Sequence, residues 1–231
     1  MHLFELEHVS VGYSGQTMLH DVSLRIAEGE RVALVGPSGA GKSTLLAVLY
    51  EHQRAETALV PQDSSLVPTL SVFHNVYMGR LHRHAALYNL ANLLRPFPRE
   101  VAAVRAILRT LGLEEKLFEP VGELSGGQQQ RTAVGRALFQ GGRVLLGDEP
   151  VSAVDGLQAR AVLQAINDTY DTVVLAMHDV GLALAFTERI VALSHGRVVL
   201  DCSTRGLTPA DIKHVYTEPD ASADVKHVHK A

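Results

Sequence analysis

Arg31-Val32-Ala33-Leu34-Val35-Gly36-Pro37-Ser38-Gly39-Ala40-Gly41-Lys42-Ser43-Thr44 is the stretch that decides the fold. Residues 31–35 form a near-continuous apolar run, as a strand buried on both faces requires. Gly36 to Thr44 then fit G-x-x-x-x-G-K-[ST], and a helical pattern follows near residues 43–51. Small residues let the backbone curl, so that successive N–H groups point inward at phosphate oxygens. The helix behind them presents its positive end to the same anion. In this setting Lys42 is expected to reach the β- and γ-phosphates of a nucleoside triphosphate, and the Ser43 hydroxyl to ligate Mg²⁺.

Further along, the apolar residues 144–147 end in Asp148-Glu149-Pro150. A carboxylate at the end of a buried strand completes such a nucleotide site. Asp148 is expected to hold the Mg²⁺ shell and Glu149 to orient and polarise an attacking water. Around these two segments the chain alternates. Residues 3–11 and 22–26 read as half-buried strands, and 57–61 as a short strand. Helix 127–140, strand 143–147, helix 156–168, strand 172–176, helix 179–186 and strands 190–193 and 197–200 follow. That order predicts an α/β fold of the P-loop NTPase type. A mostly parallel sheet carries covering helices, with a small antiparallel sheet at the N-terminus. A helical block at about 71–122, with a turn at Arg95-Pro96-Phe97-Pro98, interrupts the series and predicts an inserted subdomain. The core is then 1–70 and 123–216, and the polar residues 217–231 form a flexible tail.

Composition limits the alternatives. The 231 residues allow one large domain or two small ones, and 46% hydrophobic with 20% charged residues supports a packed core. With 21 Lys and Arg against 25 Asp and Glu, the net charge of −4 argues against a bulk nucleic-acid binder. Cys202, the single cysteine, excludes an internal disulfide and a multi-thiolate metal site. Met1-His2-Leu3-Phe4-Glu5 lacks the basic start and apolar run of a signal peptide, and no stretch is long and apolar enough for a membrane span. The expectation is an intracellular, soluble chain. The 12 histidines are scattered, with His82 near His84 and His227 near His229, and read as surface residues rather than as a metal site.

Leu124-Ser125-Gly126-Gly127-Gln128-Gln129-Gln130-Arg131 adds a third motif. A serine and two glycines open a helix, so a second helix N-terminus offers N–H groups to an anion. Together the three motifs resemble the ATP-binding subunits of ABC transporters, over about residues 3–216. In that family the Ser125 helix faces the ATP held by the phosphate loop of a second subunit. ATP is sandwiched, and each chain supplies half of each of two sites. The resemblance makes Gln62, in Val60-Pro61-Gln62-Asp63, the glutamine that senses Mg²⁺ and the attacking water. It makes Asp155, in Ser152-Ala153-Val154-Asp155, part of a loop crossing the dimer interface. His178 corresponds to the histidine that contacts the γ-phosphate, and Tyr13 to the aromatic that stacks on adenine.

One departure stands out. Lys42 and Gln62 are 20 residues apart, about half the family's usual separation. The missing segment belongs to the antiparallel sheet beside the nucleotide. A thin small sheet, an exposed adenine side and weaker hold on ATP are expected, with a domain that leans on its partner.

Finer likenesses point to one branch. Asn75-Val76-Tyr77-Met78-Gly79-Arg80-Leu81, Leu87-Tyr88-Asn89-Leu90, Phe97-Pro98-Arg99-Glu100 and Leu207–Tyr216 resemble the ATPases of phosphonate importers. The apolar stripe at 85–94 reads as helix packing within the subdomain rather than as contact with a membrane subunit. The resemblance implies ATP and Mg²⁺ as ligands. It implies a second ATPase subunit, identical or different, and integral membrane permease subunits as partners, with an extracytoplasmic substrate-binding protein acting indirectly. No nucleic-acid partner is expected. The implied place is the cytoplasmic face of the membrane, held peripherally. Two rivals remain: a soluble non-transport member of the superfamily, and a degraded ATP-binding module without turnover.

Overall fold

The computed structural model describes residues 2–13 and 16–213, the side chains of Tyr13 and Lys213 excepted. The expected tail at 217–231, with His227 and His229, and the segment His214–Tyr216 lie outside the described residues.

The chain opens with β1 (His2–Tyr13) and β2 (Gln16–Ala27), paired antiparallel as a two-stranded sheet. One face buries Phe4, Leu6, Leu19, Val22, Leu24 and Ile26. On the exposed face Arg25 donates to Glu5 Oε1 at 2.6 Å and to Glu7 Oε1 at 2.8 Å. β2 begins six residues earlier than alternation predicts. Asp21 has φ 53°, and the register of the pair shifts between Leu6 and Val11, so the apolar period breaks just where the strand continues.

β3 (Arg31–Val35) leads through the phosphate loop into α1 (Lys42–His52). Then come only Gln53 and one 3-10 turn, Arg54–Glu56, before β4 (Thr57–Val60). The Thr57 hydroxyl donates to Gln53 O at 2.6 Å and closes this short link. A thin small sheet is therefore what the chain builds: β1 and β2 have no third strand among the described residues.

The expected helical block contains α2 (Val72–Tyr77), α3 (Ala86–Leu94) and α4 (Pro98–Thr110), with 3-10 segments at Met78–Arg83 and Glu114–Lys116. Ser71 caps α2, and Pro98 starts α4 where its missing N–H costs nothing. The stripe at 85–94 departs from its reading. Leu87 is 78% and Leu94 80% exposed, Leu90 and Leu93 are also exposed, and Asn92 is the buried residue of α3. The helix turns its polar side inward because Asn92 Oδ1 accepts the Phe97 N–H at 2.8 Å and Asn89 Oδ1 accepts the Tyr77 hydroxyl at 2.8 Å.

α5 (Gly126–Gln140), β5 (Val144–Asp148), α6 (Gly156–Thr169), β6 (Thr172–Ala176), α7 (Val180–Phe186), β7 (Arg189–Ser194), β8 (Arg197–Ser203) and α8 (Pro209–Lys213) complete the chain. The larger sheet has the order β4-β5-β6-β3-β7-β8. β3 runs parallel to β6 and β7, and β8 runs antiparallel to β7. With all of β5 and β6 buried, the continuous apolar runs are those of strands covered on both faces.

By internal contacts the chain forms two compact units. Of the described residues, one takes those up to Thr57, Leu146–Glu149 and those from Asp171 to Lys213. The other takes Ala58–Leu145 and Pro150–Tyr170. In the first, α1 packs on β1, β2 and β6 through Leu45, Leu46 and Leu49. In the second, α5 packs with α2, α4 and α6 around Phe73, Val76, Val104, Leu108, Val134 and Phe139.

Candidate functional site

The phosphate loop lies in the first unit. Gly36, at φ 147°, is forced to be glycine: a Cβ there would fall 2.2 Å from the Leu193 carbonyl oxygen on β7. Pro37 to Ala40 form a turn, with the Ala40 N–H on Pro37 O at 3.2 Å. The Gly196 N–H on Ala40 O at 3.0 Å ties that turn to the β7–β8 hairpin. Gly41 caps α1 without a side chain, so no side-chain oxygen competes for the first amides of the helix. Ser43 is exposed at the helix start, Thr44 is half-buried, and Ser38 and Gly39 are exposed.

Lys42 is 5% exposed, and its Nζ donates to Gly36 O at 2.8 Å and Pro37 O at 3.0 Å. Burial pushes its ammonium pKa down, and the charges of Glu149 and Asp148 pull it back up. The cation is thus held ready over the loop, flanked by two carboxylates. Asp148, the last residue of β5, is 8% exposed, and its Oδ1 is buried without a hydrogen-bond partner. A buried carboxylate oxygen left unpaired is costly and calls for a cation. With an exposed serine hydroxyl at position 43, the donor set is the all-oxygen kind that Mg²⁺ takes when it arrives with phosphates.

Glu149 stands at φ 54°, a strained conformation for a residue with a side chain, fixed by its N–H on Ala176 O at 3.0 Å. Its carboxylate is 15% exposed and meets His178 Nε2 at 2.5 Å. His178 sits between the end of β6 and α7, whose N-cap Asp179 accepts the Leu182 N–H at 2.9 Å. Three separate stretches of the sequence, at Lys42, at the adjacent Asp148 and Glu149, and at His178, therefore belong to one electrostatic neighbourhood.

The second unit holds the other motifs. Ser125 caps α5 in a reciprocal box: its hydroxyl accepts from Gln128 N–H at 3.4 Å, and Gln128 Oε1 accepts the Ser125 N–H at 2.9 Å. Ser125 and Gly126 are exposed. Gly127 has no room for a side chain, since a Cβ would lie 2.4 Å from Ala153 O. Gln130 then holds the 152–153 segment, donating to Ser152 Oγ at 3.0 Å and accepting from Ala153 N–H at 2.8 Å. Asp155 caps α6 through the Gln158 N–H at 3.1 Å. The signature serine and the Asp155 loop thus lie on one contiguous surface. Gln62 is exposed after β4. The side chain of Tyr13 lies outside the described residues.

Sequence reasoning did not single out Gln130. The available signal was a polar pair, Gln130 and Arg131, in the buried middle of a helix. Arg131 Nη1 donates to Leu111 O at 2.7 Å and fixes the end of α4. Glu149's backbone strain had no sequence signal, because it comes from the turn between β5 and Pro150.

A family profile described as ABC transporter matches residues 19–57 and 50–152. The chain is 35% identical to the phosphonates import ATP-binding protein PhnC of Rhizobium meliloti, covering 93% of this chain and 86% of that one. It is 40% identical to the Pseudomonas putida protein of the same name, over 86% and 84%. Among solved structures, a dimeric bacterial ABC transporter cassette matches with TM-score 0.73 at 28% identity, covering 88% of this chain and 99% of that one. The dimeric post-hydrolysis state of an ATP-binding cassette bound to ADP and Pi matches with TM-score 0.71 at 28% identity, over the same shares. The alignment with the Rhizobium meliloti protein runs over 246 positions yet uses 93% of 231 residues, about 215, so about thirty positions of that relative have no counterpart. The two profile matches meet at residues 50–57, where α1 passes into β4. With phosphate loop, paired carboxylates, histidine and capped signature helix all in place, this chain belongs to the ABC transporter family as one of its ATP-binding cassettes.

Proposed function

We propose that the chain is the ATP-hydrolysing subunit of an importer for phosphonates or a related oxyanion. The observation that carries the hydrolytic reading is the His178–Glu149 contact in the same neighbourhood as Lys42 and Asp148. A cassette that had lost turnover would have no reason to keep a strained, half-buried glutamate against a histidine. The relatives named as phosphonates import proteins support the cargo class.

In this reading the backbone N–H groups from Ser38 to Thr44 and the Lys42 ammonium take the triphosphate. Ser43 and Asp148 would hold Mg²⁺, which would neutralise phosphate charge, and Gln62 keeps the Mg²⁺-sensing role that the family resemblance gives it. Glu149 accepts a proton from the attacking water and orients it, while His178 holds the carboxylate and reaches the γ-phosphate. Ser125, Gly126, Gly127 and Gln128 of one chain face the ATP of the other, with Asp155 at the crossing between them. Catalysis is positioning and charge neutralisation, and it is complete only in the pair.

Motion passes to the membrane subunits through the helical subdomain at about 71–122. No helix of the described residues is long and apolar enough to cross a membrane, and we place the cassette peripherally on the cytoplasmic face. The exposed Leu87, Leu90 and Leu94 of α3 support a permease contact there, since an outward row of leucines on a helix marks an interaction surface.

The function is tested by hydrolysis and uptake together. The MgATP turnover per chain is expected to rise with protein concentration, as a two-chain site requires. A strain lacking this chain, with its permease intact, is expected to lose growth on a phosphonate as sole phosphorus source and keep growth on phosphate. Equal growth on both sources would remove the phosphonate assignment, and concentration-independent turnover would remove the shared site.

A second expectation concerns Gly127→Ala. The added methyl meets a backbone carbonyl that no rotamer change can move. It pushes the signature turn from the 152–155 segment, and hydrolysis falls about 10- to 100-fold, as misplacement by about 1 Å does. Calorimetric ATP binding by the isolated chain stays as in wild type. Retained hydrolysis would show that the close approach is not needed for turnover.

A further inference from the structure

The loop after Gln62 is held in an unusual way. Ser64 and Ser65 both have left-handed backbones, φ 58° and φ 45°, without being glycine. Two consecutive residues of that kind unwind unless something retains them. Inside the loop, Ser64 N–H bonds Pro61 O at 3.2 Å, Ser65 N–H bonds Asp63 O at 2.7 Å, and the Ser65 hydroxyl donates to Asp63 Oδ1 at 2.7 Å. The external hold is Arg136 of α5. Its Nη1 donates to Ser65 O at 2.7 Å and its Nη2 to Ser64 O at 3.0 Å. One planar guanidinium thus spans the carbonyls of both strained residues.

Arg136 lies on the helix that begins at Ser125. Its own backbone is a contact point as well. A Cβ on Gly79, in the turn after α2, would lie 2.3 Å from Arg136 O, so that turn rests directly on the α5 backbone. The far end of the loop is stapled separately. Asn75, fully buried in α2, accepts the Val67 N–H at 2.8 Å and donates to the carbonyls of Val67, Leu70 and Ser71. α2 therefore fixes residues 67–71, and among the described residues Arg136 ties residues 64–65 to the helix that begins at Ser125. Burial pushes the guanidinium pKa down, with the charge of Asp63 offsetting part of that. A desolvated cation of this kind is spent on backbone carbonyls only where their position matters.

We propose that Arg136 is a positioning residue for ATP hydrolysis: it binds the loop carrying Gln62 to the helix carrying Ser125, so the two shift as one body. The proposal rests on the reading of Gln62 and Ser125 given above. Its consequence is that a change at a chain's own Gln62 loop is carried along α5 to the serine it offers to the partner's nucleotide. Without the guanidinium the chain still binds ATP but aligns its two half-sites poorly.

The test compares wild type with Arg136→Ala, Arg136→Lys and Arg136→Ala/Ser64→Gly. Three readouts are taken: steady-state MgATP hydrolysis, calorimetric ATP binding, and amide exchange of residues 61–71. Arg136→Ala is expected to lower kcat about 10- to 100-fold with ATP affinity within about twofold of wild type, and to speed exchange at 63–66 but not at 36–44. Lysine restores little, because a point charge does not span two carbonyls. Glycine at 64 restores part of kcat, because it takes the left-handed conformation without being held.

A kcat for Arg136→Ala within about threefold of wild type would overturn the proposal, as would a loss of ATP affinity that matches the loss of kcat. So would full recovery by lysine, or none by glycine. Should Arg136→Ala fail to fold, Arg136→Lys decides alone: reduced kcat with intact binding supports the tie, and unchanged kcat removes it. Absence of turnover in wild type would be the failure of the hydrolytic reading instead, and the exchange comparison would then decide the tie by itself.

Discussion

Lys42→Met loses ATP binding and turnover without loss of fold stability. The expected drop in kcat/KM is at least about 10²–10³-fold, the range for removing one preorganised charge-stabilising donor. The stability half follows from the sign of the pKa shift. Burial holds the Lys42 pKa below its unfolded value of 10.5. The folded state thus binds that proton less well than the unfolded state, and keeping the ammonium charged costs stability at neutral pH. The cost is fully present below the folded pKa and disappears as pH rises toward the unfolded one. Methionine fills the same stem without the charge. It gives up two hydrogen bonds to Gly36 O and Pro37 O but also relieves the desolvation. The thermal midpoint at neutral pH is expected not to fall, and the dependence of stability on pH between neutrality and 10 to flatten. Calorimetric titration with ATP and thermal melts at several pH values read both halves. A variant that melts well below wild type, or that still binds ATP as tightly, would place Lys42 in the structure rather than at the phosphates.

Much of this arrangement was legible in the sequence because each piece is local. The strand Arg31–Val35, the glycines to Gly41 and the helix from Lys42 occupy consecutive residues, so one motif predicts all three. The same holds for Ser125 with Gln128, whose box closes within one turn. The short link after α1 was legible as a distance, and the two-stranded sheet was its consequence. What escaped depends on partners far along the chain. The strand at 16–21 was hidden because Asp21 sits in a bulge that its pairing with β1 creates. The leucines of α3 were read as inward because a helical stripe does not say which neighbour it meets. Here Asn89 and Asn92 bind inward instead, and the leucines turn out. Arg136 looked like one more basic residue, since its carbonyl partners are about seventy residues upstream.

Glu149→Gln separates binding from chemistry in the same site. Glutamine has the size of glutamate and keeps a carbonyl oxygen for His178 Nε2, now 2.5 Å from Glu149 Oε1. It does not act as a base at neutral pH. The general-base contribution is therefore lost, and kcat is expected to fall about 10²–10⁴-fold. ATP affinity moves the other way. The glutamate charge stands in the same field as Lys42 and repels a bound triphosphate, so a neutral side chain lets the nucleotide sit more tightly. A chain that holds ATP and does not cleave it has no step that reopens the sandwich. Gel filtration in MgATP is expected to show the variant at twice the mass of the chain, and wild type returning to one mass as ATP is consumed. Backbone strain does not confuse the result, because the φ of 54° at this position is set by the Ala176 hydrogen bond and the turn before Pro150, which both variants keep. Turnover within about tenfold of wild type would remove Glu149 from the base role. Loss of turnover together with loss of ATP binding would make the carboxylate part of the binding site, and the role of general base would pass to another group.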